Sequence, residues 1–347
     1  MNQLQPSKFS ENDLQQALRI ASGTALGFVL CKLLDWPMGI FFTVFPVLLL
    51  GLVPVLNAHI IRQFIASGIF SSLGILLLWS IFSAHPVLLT MMVFGVFVWL
   101  FSEMSKGVNF MFGALCLVNF SVELHFASYG ASGNVIYPMV TANLLAVFVT
   151  IFVGMLMHWI FPDVSPRETP LRPGKDAASV RHEVLLCASV ATLSFIIFQV
   201  FDLRDSVSAQ AASVLILFPL CWKGAGMAGW MRVVGTLIGC SLALLCQFVL
   251  YSHSDLLLFS GFFLWLMTFI FSRYHVMGGG MPGIAFGIIT TFGILFGQSL
   301  GPDQDLLFSA LYRVSSVTVA ILISLGAVYL LHKWLNRYGV TRHHTYD

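Results

Sequence analysis

Long apolar runs separated by short polar segments dominate the chain. The runs 44–53, 142–157 and 256–271 are apolar around nearly their whole circumference if they are drawn as helices. A helix needs about 20 mostly apolar residues to cross a bilayer, whereas the strands of a membrane barrel alternate polar and apolar positions. The pattern therefore predicts an all-α integral membrane protein rather than a barrel.

The apolar runs and their Pro, Gly and charged boundaries predict about twelve transmembrane helices. The predicted spans are 14–34, 38–56, 60–82, 86–102, 107–125, 135–161, 183–201, 207–222, 228–251, 255–272, 280–298 and 306–332. Ser10 is a predicted N-cap of the first span. Pro46 and Pro219 fall inside spans, where we expect kinks.

Composition supports the membrane prediction. Hydrophobic residues make up 58% and charged residues 9% of the chain, whereas soluble domains contain about 25% charged residues. The net charge of +2 gives no reason to expect a nucleic-acid partner. The sequence contains no G-x-S-x-G, H-E-x-x-H or Walker A motif, so we expect no enzyme activity, cofactor or metal site.

The lysines and arginines predict the orientation of the chain. All 17 of them except Lys32, Arg204 and Arg313 fall on one side of the predicted spans. Because cytoplasmic loops carry the excess of basic residues, that side is predicted to be cytoplasmic. We therefore expect a multi-pass protein of the bacterial inner membrane, with the lipid bilayer as its surroundings and both termini in the cytoplasm.

Two halves of the chain resemble each other. Phe45-Pro46 matches Phe218-Pro219, and His158 matches His332, at a nearly constant offset. An even number of spans in each half requires both halves to have the same orientation, as in transporters built from parallel repeats. The predicted domains are a six-helix repeat over 1–162, a proline-rich cytoplasmic linker over 163–182, and a second six-helix repeat with a tail over 183–347.

A short motif opens the ninth predicted span. Arg232-Val-Val-Gly235-Thr236-Leu-Ile-Gly239 resembles the R-x-x-G-T-x-x-G signature of the fusaric-acid-resistance (FUSC) superfamily, which includes aromatic-acid exporters. Arg62 is the counterpart of Arg232 in the first half, where the Gly-Thr pair is absent. Gly235 and Gly239 share a helix face and predict close approach of another helix. We expect Thr236 to hydrogen-bond across that contact and Arg232 to anchor the helix at the cytoplasmic phosphate layer.

The resemblance also implies a function. Familiar exporters of the superfamily carry large cytosolic domains that this chain lacks, and the chain looks more like a short branch that accompanies a periplasmic adaptor of the membrane-fusion type. The resemblance implies proton-driven efflux of small organic or aromatic anions. A passive anion channel, or a protein that handles lipid-linked substrates of the cell envelope, is an alternative function. The sequence permits a monomer or a homodimer.

Polar residues inside the spans are the candidate substrate-binding groups. Arg313, about 10 Å into the last span, can hold a carboxylate through two parallel hydrogen bonds. Asn119 and Asn143 can donate or accept hydrogen bonds. The alternatives are that Arg313 extends to the interface or pairs with an acid, and that Asn143 joins two helices.

Proton coupling requires a group that can gain and lose a proton. Glu123 and His125, two residues apart, and Asp35 are the candidates. The alternative for such carboxylates is a hydrated position at the membrane interface. The Gly278–Gly280 turn before the eleventh span reads equally as a flexible turn or as an unwound start of a substrate path.

Overall fold

A computed structural model describes residues 9–129, 136–167, 175–203, 206–250, 256–277, 282–299 and 306–342. Within those ranges the chain forms twelve α-helices and no strand, which confirms the predicted all-α class. The helices are α1 (Glu11–Leu33), α2 (Gly39–Leu52), α3 (Ala58–Phe82), α4 (Pro86–Lys106), α5 (Phe110–Tyr129), α6 (Ile136–Ile160), α7 (Ala177–Val200), α8 (Val207–Leu215), α9 (Trp222–Leu250), α10 (Leu257–Val276), α11 (Pro282–Ser299) and α12 (Leu306–Leu335). The Gly278–Gly280 turn lies outside the described residues.

Eight helices of the described chain are long and apolar enough to cross a membrane, namely α3, α4, α5, α6, α7, α9, α10 and α12. Helices α2 and α11 are apolar but shorter, and α8 has only 9 residues. Because the apolar side chains on these helices are exposed in large number, lipid is the solvent that suits them. The chain is a multi-pass helical membrane protein.

The predicted span 207–222 is wrong in its second half. Helix α8 ends at Leu215, and Leu220 has the left-handed φ of 59°. Pro219 has no N–H to donate to Leu215 and disfavours helical geometry in the residue before it. The irregular backbone is largely buried at Ile216, Leu217 and Leu220, as backbone outside a helix must be at membrane depth.

The starts of α1 and α7 are set by capping side chains. Ser10 Oγ accepts from the backbone N–H of Asp13 at 3.2 Å, and the Asp13 carboxylate accepts from the backbone N–H of Ser10, which confirms the predicted cap. Asp176 caps α7 by accepting from the N–H of Ser179 at 3.1 Å. Helix α7 therefore begins at Ala177, inside the segment that was predicted to be linker.

The helices pack into two compact units, each built from segments distant in sequence. Unit 1 comprises Met1–Ile61, Thr141–Thr169 and Met231–Val314, and unit 2 comprises Arg62–Val140, Pro170–Trp230 and Ser315–Asp347. In unit 1, α1 packs against α2 and α10, and α11 also packs against α2 and α10. In unit 2, α4 packs against α5 and α7, and α8 packs against α5 and α7. The predicted repeat boundaries stay a prediction.

Aromatic side chains and glycine contacts form the interior of the units. In unit 1, the rings of Phe292 and Phe296 stack with centroids 4.4 Å apart, and Phe28 meets Phe296 edge-on. A Cβ on Gly39 would lie 2.5 Å from the carbonyl oxygen of Gly297, so the backbones of α2 and α11 are in direct contact. Only residues without side chains permit such an approach.

Candidate functional site

Arg232 is buried within unit 1. It lies about 15 Å along α9 from the first residue, at ~1.5 Å per residue, and is 9% exposed. Its Nη1 donates to the Thr290 hydroxyl on α11 at 2.7 Å. Its Nε has no hydrogen-bond partner, and no carboxylate contacts it, within the part of the chain that the structure describes. The role of Arg232 as an anchor at the phosphate layer stays a prediction.

The glycines of the motif bring α9 and α11 together, as predicted. A Cβ on Gly235 would lie 2.8 Å from the carbonyl oxygen of Ile284, and a Cβ on Gly239 would lie 2.9 Å from Cβ of Thr291. The expected hydrogen bond of Thr236 across the contact is wrong, because its buried hydroxyl has no partner among the described residues. The motif thus places Arg232 beside Thr290 through close backbone packing.

A second arginine is buried in the same unit. Arg313 of α12 is 8% exposed, and the charge of Arg232 acts on it electrostatically. Cys240 on α9 lies near both guanidinium groups. The two buried arginines of unit 1 are therefore candidate groups to bind an anion.

The other predicted residues of unit 1 fall in different places. Asn143 on α6 is completely buried. Asp35 is exposed in the turn between α1 and α2, where its φ is 49°. The structure therefore places the Asp35 carboxylate on the surface of the unit rather than among its buried polar groups.

Unit 2 contains a buried acidic and amide cluster on α5. Glu123 is 0% exposed and accepts a hydrogen bond from Ser72 of α3 at 3.0 Å. Asn119 lies one helical turn earlier on the same face, and its Oδ1 is buried with no partner among the residues described. The alternative of a hydrated interfacial Glu123 is therefore wrong, because the flanking helices exclude water from the carboxylate.

His125 faces a different helix from Glu123. Its Nδ1 lies 2.9 Å from Oε1 of Gln210 on α8, within hydrogen-bond distance. The ring also meets Tyr129 at a centroid distance of 4.8 Å. Unit 2 thus holds two buried titratable groups with defined polar partners.

The arginines at matching positions of the two halves differ. Arg62 is exposed at the start of α3, whereas Arg232 is buried in α9. The two arginines thus differ in burial, and the buried carboxylate Glu123 lies in unit 2.

The hydrogen-bond partners of these groups were not predicted from the sequence. They are Thr290, Ser72 and Gln210, each of which hydrogen-bonds one of the charged or titratable candidates. The sequence did indicate that such partners exist, because a polar side chain buried in an apolar span costs free energy unless it forms a hydrogen bond. In the described part of the chain, no group of three His, Cys, Asp or Glu side chains could hold a metal ion.

The first half of the chain is similar to a known protein family. Residues 16–157 match a family described as a protein of unknown function, DUF2955. The match includes α2 to α5 and most of α1 and α6, and thus Glu123, His125 and Asn143. No curated protein and no solved structure matches the chain.

Proposed function

We propose that this protein is a proton-driven exporter of small organic or aromatic anions in the bacterial inner membrane, acting with a periplasmic adaptor. The observation that carries the proposal is the burial of Arg232 and Arg313 in one unit. A guanidinium group can bind a carboxylate through two parallel hydrogen bonds, and a low-dielectric site strengthens that attraction. Arg232 contributes its Nε, and Thr290 holds its Nη1 in place.

The proton-carrying role is assigned to the buried groups of unit 2. Glu123 is completely buried and is the candidate group to bind and release the transported proton. Ser72 remains able to hydrogen-bond either form of the carboxyl group, since a hydroxyl both donates and accepts. His125, oriented by Gln210, supplies a second titratable group on the same helix.

A parallel repeat underlies the proposed transport mechanism. Four helix pairs of unit 1 have counterparts in unit 2. Helix α1 packs against α2 and α10, as α7 packs against α8 and α4. Helix α11 packs against the same two helices, α2 and α10, as α5 packs against α8 and α4. The second helix of each half, α2 or α8, is short and contains or precedes a proline. Short or interrupted helices at corresponding positions of two halves are a common mark of transporter binding sites.

The test is uptake of labelled benzoate, as a probe carboxylate, into inverted membrane vesicles with an imposed pH gradient. We expect accumulation by the unaltered protein, its loss in Arg313→Ala and Arg232→Gln, and partial activity in Arg313→Lys, which keeps the charge but loses the planar fork. Arg62→Ala is the matched control, because that arginine is exposed.

Two outcomes contradict parts of the proposal. Transport that is unchanged in Arg313→Ala, with normal insertion, removes Arg313 from the site. Equal flux with and without the pH gradient identifies a passive anion channel, since a channel cannot concentrate its substrate. A gene for a membrane-fusion adaptor next to the gene for this chain is the expected genetic context.

A further inference from the structure

His275, in the last turn of α10, lies between two backbone carbonyl oxygens. Its Nδ1 is 3.1 Å from the carbonyl oxygen of Pro282, the first residue of α11. Its Nε2 is 3.0 Å from the carbonyl oxygen of Gly51, near the end of α2. All three residues belong to unit 1.

A carbonyl oxygen can only accept a hydrogen bond, so each contact requires an N–H on the ring. A neutral imidazole has one N–H, whereas the imidazolium ion has two. Both contacts are therefore satisfied together only when His275 is protonated.

Other titratable groups lie on the helices packed near His275. His158 of α6 is one of them, because Val153 and Met157 of that helix pack with Leu50 of α2 and Val276 of α10. The helical spans of α2 and α11 contain no titratable side chain. On α10 itself Arg273 and Tyr274 are neighbours, and Arg273 lies over the ring of Phe9, 4.8 Å from its centroid. Helix α1, which packs against α10 and α2, carries Glu11, Asp13, Arg19, Cys31 and Lys32, and Arg19 is paired with Asp163 at 2.5 Å.

A continuous set of contacts leads from His275 to the buried arginine. The His275 ring lies against Phe286, with centroids 5.1 Å apart. The carbonyl oxygen of Phe286 accepts from the Thr290 hydroxyl at 2.9 Å, and that hydroxyl accepts from Arg232 at 2.7 Å. Because these residues occupy the first turns of α11, the position of those turns determines the geometry of both contacts.

We propose that His275 is a proton-binding site that holds the start of α11 against the end of α2 when protonated, and that its protonation is linked to anion binding at Arg232. Loss of the proton removes one of the two hydrogen bonds and frees either α11 or α2 at this end. Linkage is reciprocal, so an anion that favours one position of α11 also changes the proton affinity of His275. The linkage to the anion rests on the function proposed above, whereas the proton-binding site does not.

The first experiment reads the protonation state directly. The full chain, labelled with ¹⁵N-histidine and placed in lipid nanodiscs, is compared with His275→Gln by NMR, and the signals missing from the variant are those of His275. At about pH 6, just below the usual imidazole range, we expect both nitrogens to be protonated. One bare nitrogen at that pH overturns the proposal.

The second experiment reads the contact between the helices. Amide exchange of 282–290, corrected for intrinsic rates, is measured at about pH 6 and about pH 8, on either side of the imidazole range. We expect several-fold slower exchange at the lower pH in the unaltered chain, no such difference in His275→Gln, and an unchanged difference in His85→Gln, an exposed histidine. A pH response that survives in His275→Gln overturns the proposal.

The two proposals can fail separately. Neither the NMR signal nor the exchange rate requires a transported anion, so a protein that moves no benzoate can still confirm the proton site. If benzoate uptake is driven by the pH gradient and its pH dependence is the same in His275→Gln as in His85→Gln, the linkage to Arg232 is refuted while the transport function stands.

Discussion

Replacement of Gly235 by alanine is the sharpest test of the packing that positions Arg232. A Cβ at this position would lie 2.8 Å from the carbonyl oxygen of Ile284 and 2.9 Å from Cα of Gly287, both on α11. These are backbone atoms, which cannot rotate away as a flexible side chain can. Gly226 on the same helix is the matched control, because no atom lies within 4 Å of its added Cβ.

The expected size of the effect follows from those distances. Ordinary Cβ contacts begin at 3.4 Å, so α9 and α11 must separate by about 0.6 Å locally. Overpacking of this kind costs about 1–3 kcal/mol of stability. The same separation would lengthen the 2.7 Å contact of Arg232 with Thr290 toward the limit of a hydrogen bond. Gly226→Ala should instead be neutral or stabilising by up to about 1 kcal/mol, since alanine is the better helix former.

Thermal denaturation of the purified full chain in detergent measures the difference. We expect Gly235→Ala to lower the midpoint and to reduce benzoate uptake, and Gly226→Ala to do neither. If Gly235→Ala is as stable as Gly226→Ala, the backbones of α9 and α11 are not in contact, and the position of Arg232 beside Thr290 is refuted.

Two further predictions concern hydrogen bonds to carboxylates. Ser72→Ala and Glu123→Ala should show a coupling of about 0.6–1.7 kcal/mol in a double-mutant cycle of stability, the usual range between membrane helices, because the two side chains are 3.0 Å apart and buried. Additive effects would exclude the hydrogen bond. Hydrogen bonds from Ser179 hold the pKa of Asp176 below its ordinary value, so its cap on α7 is formed at neutral pH and is lost as the pH falls through that lowered pKa. The rate of amide exchange in the first turn of α7 should therefore rise on acidification. It should not rise in Asp176→Asn, because the asparagine amide caps the helix without titrating. The same rise in both chains would contradict the assignment of Asp176 as the titrating cap.

The helices were largely predictable because they form locally. Each backbone hydrogen bond joins residues four apart, and the apolar character of a span is a sum over about 20 neighbouring residues. The sequence thus predicted most bounds within a few residues, and Gly235 and Gly239 predicted a close helix contact. The end of α8 was missed because the effect of Pro219 was taken as a kink within a longer helix rather than as its end.

The candidate site was predictable only in its residue types. Arg313, Glu123 and His125 stood out as ionisable groups in apolar spans, but the partners of Glu123 and His125 lie on helices far away in sequence. The burial of Arg232 was not predicted, because distance from a helix end does not reveal what covers a side chain. Its burial depends on the packing of α9 against α11.

The sequence by itself therefore determined a helical membrane protein, the helices within it and the residues that are costly to bury. Only the tertiary structure decided that α1 and α2 share a unit with α10 and α11, and that His275 meets the carbonyl oxygen of Gly51. The physical reason is that the free energy of transfer from water to lipid depends on each segment alone. A hydrogen bond between distant residues forms only when their helices pack against each other.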